Sequence, residues 1–398
     1  MDERGELLER AERHIFATGP RDCGQSLCIA NMKYGLAKIH YVQQQLGLPA
    51  DATFIGAPDM TVTRNVNRWS SGFGYGGKLT WDDGTQELMI LDVKPNCCGM
   101  LVGGLDYLPD YDRLIERLDR LKHDETYLEG VKINWDFEKS NHFIDVFQVR
   151  VLADVSLPEY AFVIHCAGSE LRGKTSLGDG LYWDASPDLL AKAEVIATPF
   201  GNLRVLTGSK AVEYYRFYQV VEDFTLRRRV LAAERLFGDY ELIANQTHQG
   251  LGSMNDAILG THQVVEDGKT LYPMTLRGDL PAYLLRGKSN LSEEILESYG
   301  FEKRAKALGV YERLRRANIL PHGGGYDFPH MTGVTRVIEF GEEHYFEVDL
   351  ANDQGYQLIS DVRDIPFDYR GKTVALRTIE LGLGEVVAKL VPLYVLKT

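Results

Sequence analysis

No apolar run in the sequence approaches the roughly 20 residues that a membrane-spanning helix requires. The first residues, Met1-Asp2-Glu3-Arg4-Gly5-Glu6, are too charged for the apolar stretch of a secretory leader. The expected setting is the cytoplasm, with no membrane partner. Cysteine is scarce: five residues, an odd number, including the adjacent pair Cys97-Cys98. Neighbours on a strand or helix point in different directions, which argues against a disulfide framework and for reduced thiols available to a metal. Positive charge is in deficit too, with 44 Lys and Arg against 57 Asp and Glu, a formal net charge of −13. That disfavours a surface gripping duplex nucleic acid non-specifically, since such binding depends on Lys and Arg neutralising phosphates; a local basic groove stays compatible. Internal repeats, low-complexity tracts and Pro/Ser-rich linkers are also missing.

What is present suits a globular enzyme. A chain of 398 residues, 44% hydrophobic, can bury a large core as one big domain or two medium ones. Apolar spacing predicts a short helix over Glu6 to Phe16 and a second over Ile29 to Gln45. From Thr53 to Gly104, short apolar runs broken by Gly, Pro and Asp read as strands and loops. A helical period returns between Asp110 and Leu121, and Val146 to Val155 and Tyr160 to His165 read as buried strands. Lys210 to Phe237, free of Gly and Pro, is the longest helical signal, and Val334 to Leu350 alternates like a strand. The expectation is one α+β domain with mixed β-sheets flanked by helices and a helical insertion over about 210–237.

Chemistry-bearing residues gather in short polar or Gly-containing stretches near predicted strand ends, where a rigid scaffold commonly displays reactive groups. These are Asn96-Cys97-Cys98-Gly99, Ser140-Asn141-His142-Phe143, Ile164-His165-Cys166-Ala167-Gly168, Thr247-His248-Gln249 and Pro321-His322-Gly323-Gly324-Gly325. Thiolate and imidazole are the usual ligands of Zn, Mn or Fe class metals, and ligands drawn from distant segments are typical of enzyme sites. With ten histidines in the chain, any single one is more often a satisfied core or surface residue.

Taken in order, these segments resemble the signatures of the RtcB-type RNA ligases. Pro95-Asn96-Cys97-Cys98-Gly99-Met100 looks like the family's D-x-N/G-C-G-M/V segment, and Asn141-His142-Phe143-Ile144-Asp145-Val146 like its N-H-F-[IL]-E-V. Val163-Ile164-His165-Cys166-Ala167-Gly168-Ser169 is similar to its strand ending in H-S-G-S, and Thr247-His248-Gln249 to its S-H-N. His322-Gly323-Gly324-Gly325 resembles H-G-A-G, and the closing Pro392-Leu393-Tyr394-Val395-Leu396-Lys397 resembles P-L-x-V-x-K. The likeness spans about Gly56 to Thr398.

This resemblance implies Cys98, His142, His165 and His248 as ligands of one or two Mn²⁺ ions and His322 as the nucleophile that takes GMP from GTP. It implies Asn141, Gln249, Gly323, Gly324, Gly325 and Lys397 around the nucleotide. The substrates would be RNA carrying a 3′-phosphate or 2′,3′-cyclic phosphate and RNA carrying a 5′-hydroxyl, joined in RNA repair or tRNA splicing. It leaves room for an activating protein partner.

The pattern departs from the family at several points. Pro95 stands where the family has a metal-binding Asp, so Asp92, three positions back, is the nearest acidic candidate. Cys97 substitutes for Cys98 under a one-residue shift. Ala57-Pro58-Asp59-Met60-Thr61 resembles M-P-D-V-H without its His, with Asp59 a candidate for proton transfer or for holding the RNA end. Tyr326 replaces an Arg, and Met274 to Tyr283 stands where P-G-S-M would be. Two rival readings follow: a metal-dependent phosphodiesterase or phosphatase on RNA ends, and a non-catalytic RNA-end-binding paralogue. For Arg227-Arg228-Arg229 the choice is between a solvated helix face and phosphate contact.

Overall fold

The computed structural model describes residues 3–137, 139, 141–341, 343–352 and 355–396. The fold is α+β: helices pack around an eleven-stranded mixed sheet with several smaller sheets. In spatial order the large sheet runs Ile15–Ala17, Thr53–Thr61, Tyr75–Thr80, Asp256–Leu259, Glu241–Ser253, Cys98–Leu105, Tyr160–Cys166, Phe143–Val151, Gly384–Leu396, Ala282–Gly287 and Leu271–Met274. Only the first pair is parallel. Among the described residues no helix is long and apolar enough to cross a membrane.

The central strands are apolar on both faces because both faces are covered. Leu101, Phe162 and Ile164 pack beneath the helices Tyr111–His123 and Ser209–Phe237 with Leu118, Ala232 and Leu236. Their alternates Met100, Val102, Ala161 and Val163 pack with Phe147, Leu284 and Leu390. One side of the sheet is therefore helix-backed; the other carries the functional groups.

Several elements differ from the sequence expectation for identifiable reasons. The first helix ends at Arg13, and Ile15–Ala17 is a strand, because Ile15 and Phe16 find pairing partners in Phe54 and Ile55. The second helix starts at Cys23, six residues earlier than Ile29, where the Asp22 carboxylate accepts the Gln25 N–H as its N-cap. The strand expected from Val146 begins at Phe143, which lies opposite His165. The long helix runs Ser209–Phe237. Met331–Phe340 and Glu343–Leu350 form an antiparallel pair within the single strand-like stretch read from Val334.

Candidate metal and nucleophile site

In an antiparallel sheet the start of one strand lies beside the end of its neighbour. Cys98 opens its strand, His165 is the penultimate residue of the next, and His142 immediately precedes the one after. Register alone thus collects three candidate ligands at one end of these central strands. Cys98 Sγ lies 3.1 Å from His165 Nε2 and 3.6 Å from His142 Nε2. His248 Nε2 lies 3.3 Å from His165 Nε2, delivered by a register shift between Thr247 and Gln249 in the pairing with the Cys98 strand.

The separations among Cys98, His142 and His165 fit a shared cation; His248 approaches that trio through His165 and falls outside the group itself. With metal–sulfur bonds near 2.3 Å and metal–nitrogen bonds near 2.0–2.1 Å, tetrahedral ligand atoms sit about 3.3–3.6 Å apart. The tautomers point the same way. His165 Nδ1 donates to the Asn141 carbonyl at 3.0 Å. His142 Nδ1 faces the Asp136 carbonyl at 3.1 Å and the Asp136 carboxylate at 3.0 Å. In a neutral ring Nε2 would then carry its lone pair toward the sulfur, the form that a metal would require of both histidines. Cys98, His142 and His165, all buried, could hold a metal ion.

Electrostatics prepares the thiolate. Burial pushes the Cys98 thiol up, but His165 and His142 overcome it and hold it well below the usual thiol range. Burial opposes a charge on His142, yet the Asp136 carboxylate and the Cys98 sulfur raise it to about 10. Burial is the chief cause lowering His165 and His248.

Cys97 answers the register question. Its φ of 52° turns the chain so that this side chain enters the core beneath Tyr218 and Phe224, with its thiol pushed well up by burial. Cys98 alone of the two reaches the histidines. Asp92, the nearest acidic candidate, is engaged elsewhere: its carboxylate takes the Arg204 N–H at 2.8 Å and faces the Arg204 guanidinium at 3.2 Å. It is not in the Cys98 cluster.

The arginine run is neither wholly solvated nor free for phosphate. Arg227 is exposed and paired with Glu129 and Asp223, whereas Arg228 and Arg229 are completely buried. Arg228 binds the Asp136 carboxylate at 2.8 Å and Glu170 at 2.9 Å, so one chain of contacts runs Arg228, Asp136, His142, Cys98. Arg229 donates to the Cys97 carbonyl at 3.2 Å and to Asn245 at 2.7 Å. A Cβ on Gly99 would lie 2.7 Å from that guanidinium. The two arginines brace the segments that present Cys98 and His142.

His322 follows the short strand Ile319–Pro321. Its Nδ1 lies 2.9 Å from Asp59 Oδ2, which also accepts the backbone N–H groups of His322 at 3.1 Å and Gly323 at 3.3 Å. Asp59 thereby fixes the tautomer with a lone pair on Nε2. The His322 ring lies 4.3 Å from that of His248, centroid to centroid. The glycines after it have packing reasons of their own. A Cβ on Gly323 would lie 2.8 Å from the Thr275 carbonyl, one on Gly324 would lie 2.4 Å from the Arg370 carbonyl, and one on Gly325, at φ 66°, 2.4 Å from that of Asp59.

A cavity of about 220 Å³ opens onto His322, Gly323, Gly324, Gly325, His165 and Asn141. One water needs roughly 10–15 Å³, so this space takes a ligand of many atoms. Its walls include Phe143, Phe147, Tyr326 and Tyr369, with Asp145, Thr275 and Arg277 as polar members. Gln249 is 1% exposed, lies opposite Cys98, and among the described residues neither end of its amide finds a hydrogen-bond partner. The same holds for His248 Nδ1 and Asp59 Oδ1. Lys397 lies outside the described residues.

Sequence reasoning missed Asp136, Arg370 and Tyr75, whose ring meets that of His322 edge-on at 5.6 Å. None carries a local signature. The buried Arg228 and Arg229 had a faint one, a basic run within a Gly-free helix. No family model matches the chain, and no curated protein matches it in sequence.

Proposed function

We propose that the protein is a GTP- and Mn²⁺-dependent RNA ligase of the RtcB type, joining a 3′-phosphate or 2′,3′-cyclic phosphate end to a 5′-hydroxyl end. One observation carries this reading. The imidazole of His322, oriented by Asp59, opens on the same cavity as His165 and lies against His248. A nucleophile beside a cation site and a cavity of ligand size is what transfer of a nucleotidyl group needs.

His322 Nε2 bonds to the α-phosphorus of GTP while the bond from that phosphorus to the bridging oxygen breaks, and its electron pair leaves with pyrophosphate. Nδ1–H stays on Asp59, which offsets the charge acquired by the ring. Cys98, His142 and His165, with His248 beside them, would hold a cation, which would supply charge neutralisation for the phosphates. An oxygen of the RNA 3′-phosphate then takes GMP, the P–N bond electrons returning to Nε2. The 5′-hydroxyl oxygen attacks the activated 3′-phosphate, expelling GMP and losing its proton. A cyclic phosphate end is first opened by water.

The test is incubation of the full chain with α-labelled GTP and Mn²⁺, followed by a search for acid-labile label on protein. The expected result is label on the wild type and none on His322→Ala, with metal content retained in both. A wild type that takes no label but opens 2′,3′-cyclic phosphate ends is a phosphodiesterase. One that only binds RNA ends is a binding protein, and either outcome overturns the ligase.

A further inference from the structure

We infer that Arg277 is the residue that grips the pyrophosphoryl part of a phosphorylated ligand in the His322 cavity, exchanging carboxylate partners for phosphate when the ligand enters. The inference rests on the reading that His322 faces a phosphate ester, and it gives a role to a residue in the stretch that departs from P-G-S-M.

Arg277 is the sole Lys or Arg side chain lining the cavity among the described residues. Its place is tied to the nucleophile. The Thr275 N–H donates to the His322 carbonyl at 3.0 Å, and Thr275 pairs with Gly323 in a parallel bridge. Two residues further on, the Arg277 Cα lies within about 7.6 Å of the Thr275 Cα, inside the reach of a guanidinium to groups above His322. The Leu280 N–H closes the loop on the Arg277 carbonyl at 2.9 Å.

The guanidinium is held between two carboxylates. Its Nε and Nη2 meet Asp279 at 2.5 and 2.9 Å, and its Nη1 meets Asp368 at 3.1 Å. Asp368 neighbours Tyr369, which also lines the cavity. Both carboxylates are more than half exposed, at 62% and 54%. The single exposed contact to Asp368 is weak beside the two-pronged pair with Asp279, whereas phosphate offers the guanidinium more charge and more acceptor oxygens. A pyrophosphoryl group therefore outcompetes Asp368.

The experiment is calorimetric titration of the full chain with inorganic pyrophosphate at a fixed excess of Mn²⁺. Expected are binding by the wild type, a Kd at least tenfold weaker for Arg277→Gln, a smaller loss for Arg277→Lys, and a Kd at least twofold tighter for Asp368→Asn, which frees the guanidinium. Equal Kd values for wild type and Arg277→Gln, or no binding by the wild type, overturn the inference. The two proposals fail separately. Arg277-dependent pyrophosphate binding without GMP labelling sinks the ligase and leaves this grip standing, while labelling with an Arg277-independent Kd does the reverse.

Discussion

Asp59 and His322 stand 263 positions apart in sequence, yet one carboxylate oxygen of the first accepts three N–H groups from the second and its successor, the ring contact being 2.9 Å. An imidazole so held cannot rotate or switch tautomer without breaking a buried bond. Asp59→Asn is expected to lower the rate of covalent GMP attachment by roughly 10²–10⁴-fold, because the amide can present an N–H and reverse the tautomer. An unchanged labelling rate would show that Asp59 serves the loop and not the ring.

The adjacent cysteines give a sharp pair of variants. Cys98→Ala should strip metal from the purified protein, read by elemental analysis, whereas Cys97→Ala should keep metal and lose only packing stability. Equal metal content in the two would contradict the assignment of Cys98.

Asp136 orients His142 and neutralises Arg228. Asp136→Ala is expected to weaken metal affinity about 10–100-fold, as for other groups that orient a ligating histidine, and Asp136→Asn, which keeps an acceptor, by less. Competition against a fluorescent chelator measures both, and indistinguishable affinities for the wild type and Asp136→Ala would remove this role.

Acid should destabilise the protein through His14 and His40, which lie far from the cavity in sequence and stack edge to face at 4.9 Å. Burial, with nearby arginines adding, lowers His14 to about 4; burial, with His14 adding, lowers His40 to about 3. Both folded values lie below the unfolded value near 6.5, so the unfolded chain binds more protons in between. The stability contribution is complete above about pH 6.5 and is lost as pH falls toward 4 and 3. The slope is about 1.4 kcal/mol per pH unit for each ring. Urea titrations between pH 7 and 4 should show it, and His40→Gln should remove one proton's worth; an unaltered slope in that variant counts against the attribution.

Gly325 and Gly268 share a left-handed backbone, at φ 66° and 65°, but only Gly325 is crowded. A Cβ at Gly268 meets nothing within 4 Å, while one at Gly325 would lie 2.4 Å from the Asp59 carbonyl and 2.5 Å from Arg370 Nη1. Each alanine variant pays the backbone cost of about 1–2 kcal/mol. Gly325→Ala should be the less stable of the two in chemical denaturation and should also disturb His322; equal losses would mean that the loop yields freely.

Much of the site was legible in the sequence because its ligands sit at strand ends, where local composition changes from apolar to polar and Gly-rich. Cys98, His142, His165, His248 and His322 were read from such segments; the first three gather into one group, with His248 lying between His165 and the ring of His322. The errors lie where a residue's partner is remote. Asp92 looked available beside the metal segment until Arg204, more than a hundred positions away, took its carboxylate. Arg228 and Arg229 looked like surface charge, since nothing near them in sequence reveals Asp136, Glu170 or the Cys97 carbonyl. The start of the second helix at Cys23 was a local signal overlooked, as Asp22 and Gln25 have the spacing of an N-cap pair.

The sequence by itself determined the alternation and periodicity that make central strands and long helices, and the residue types able to bind a soft metal or attack a phosphate. Those depend on side-chain chemistry and short-range spacing. Only the tertiary structure decided which thiol faces the histidines, which acid fixes His322 and which arginines are structural. Those outcomes depend on sheet register and on hydrogen bonds between segments hundreds of residues apart, and a one-residue slip of a strand would reverse every side chain it carries.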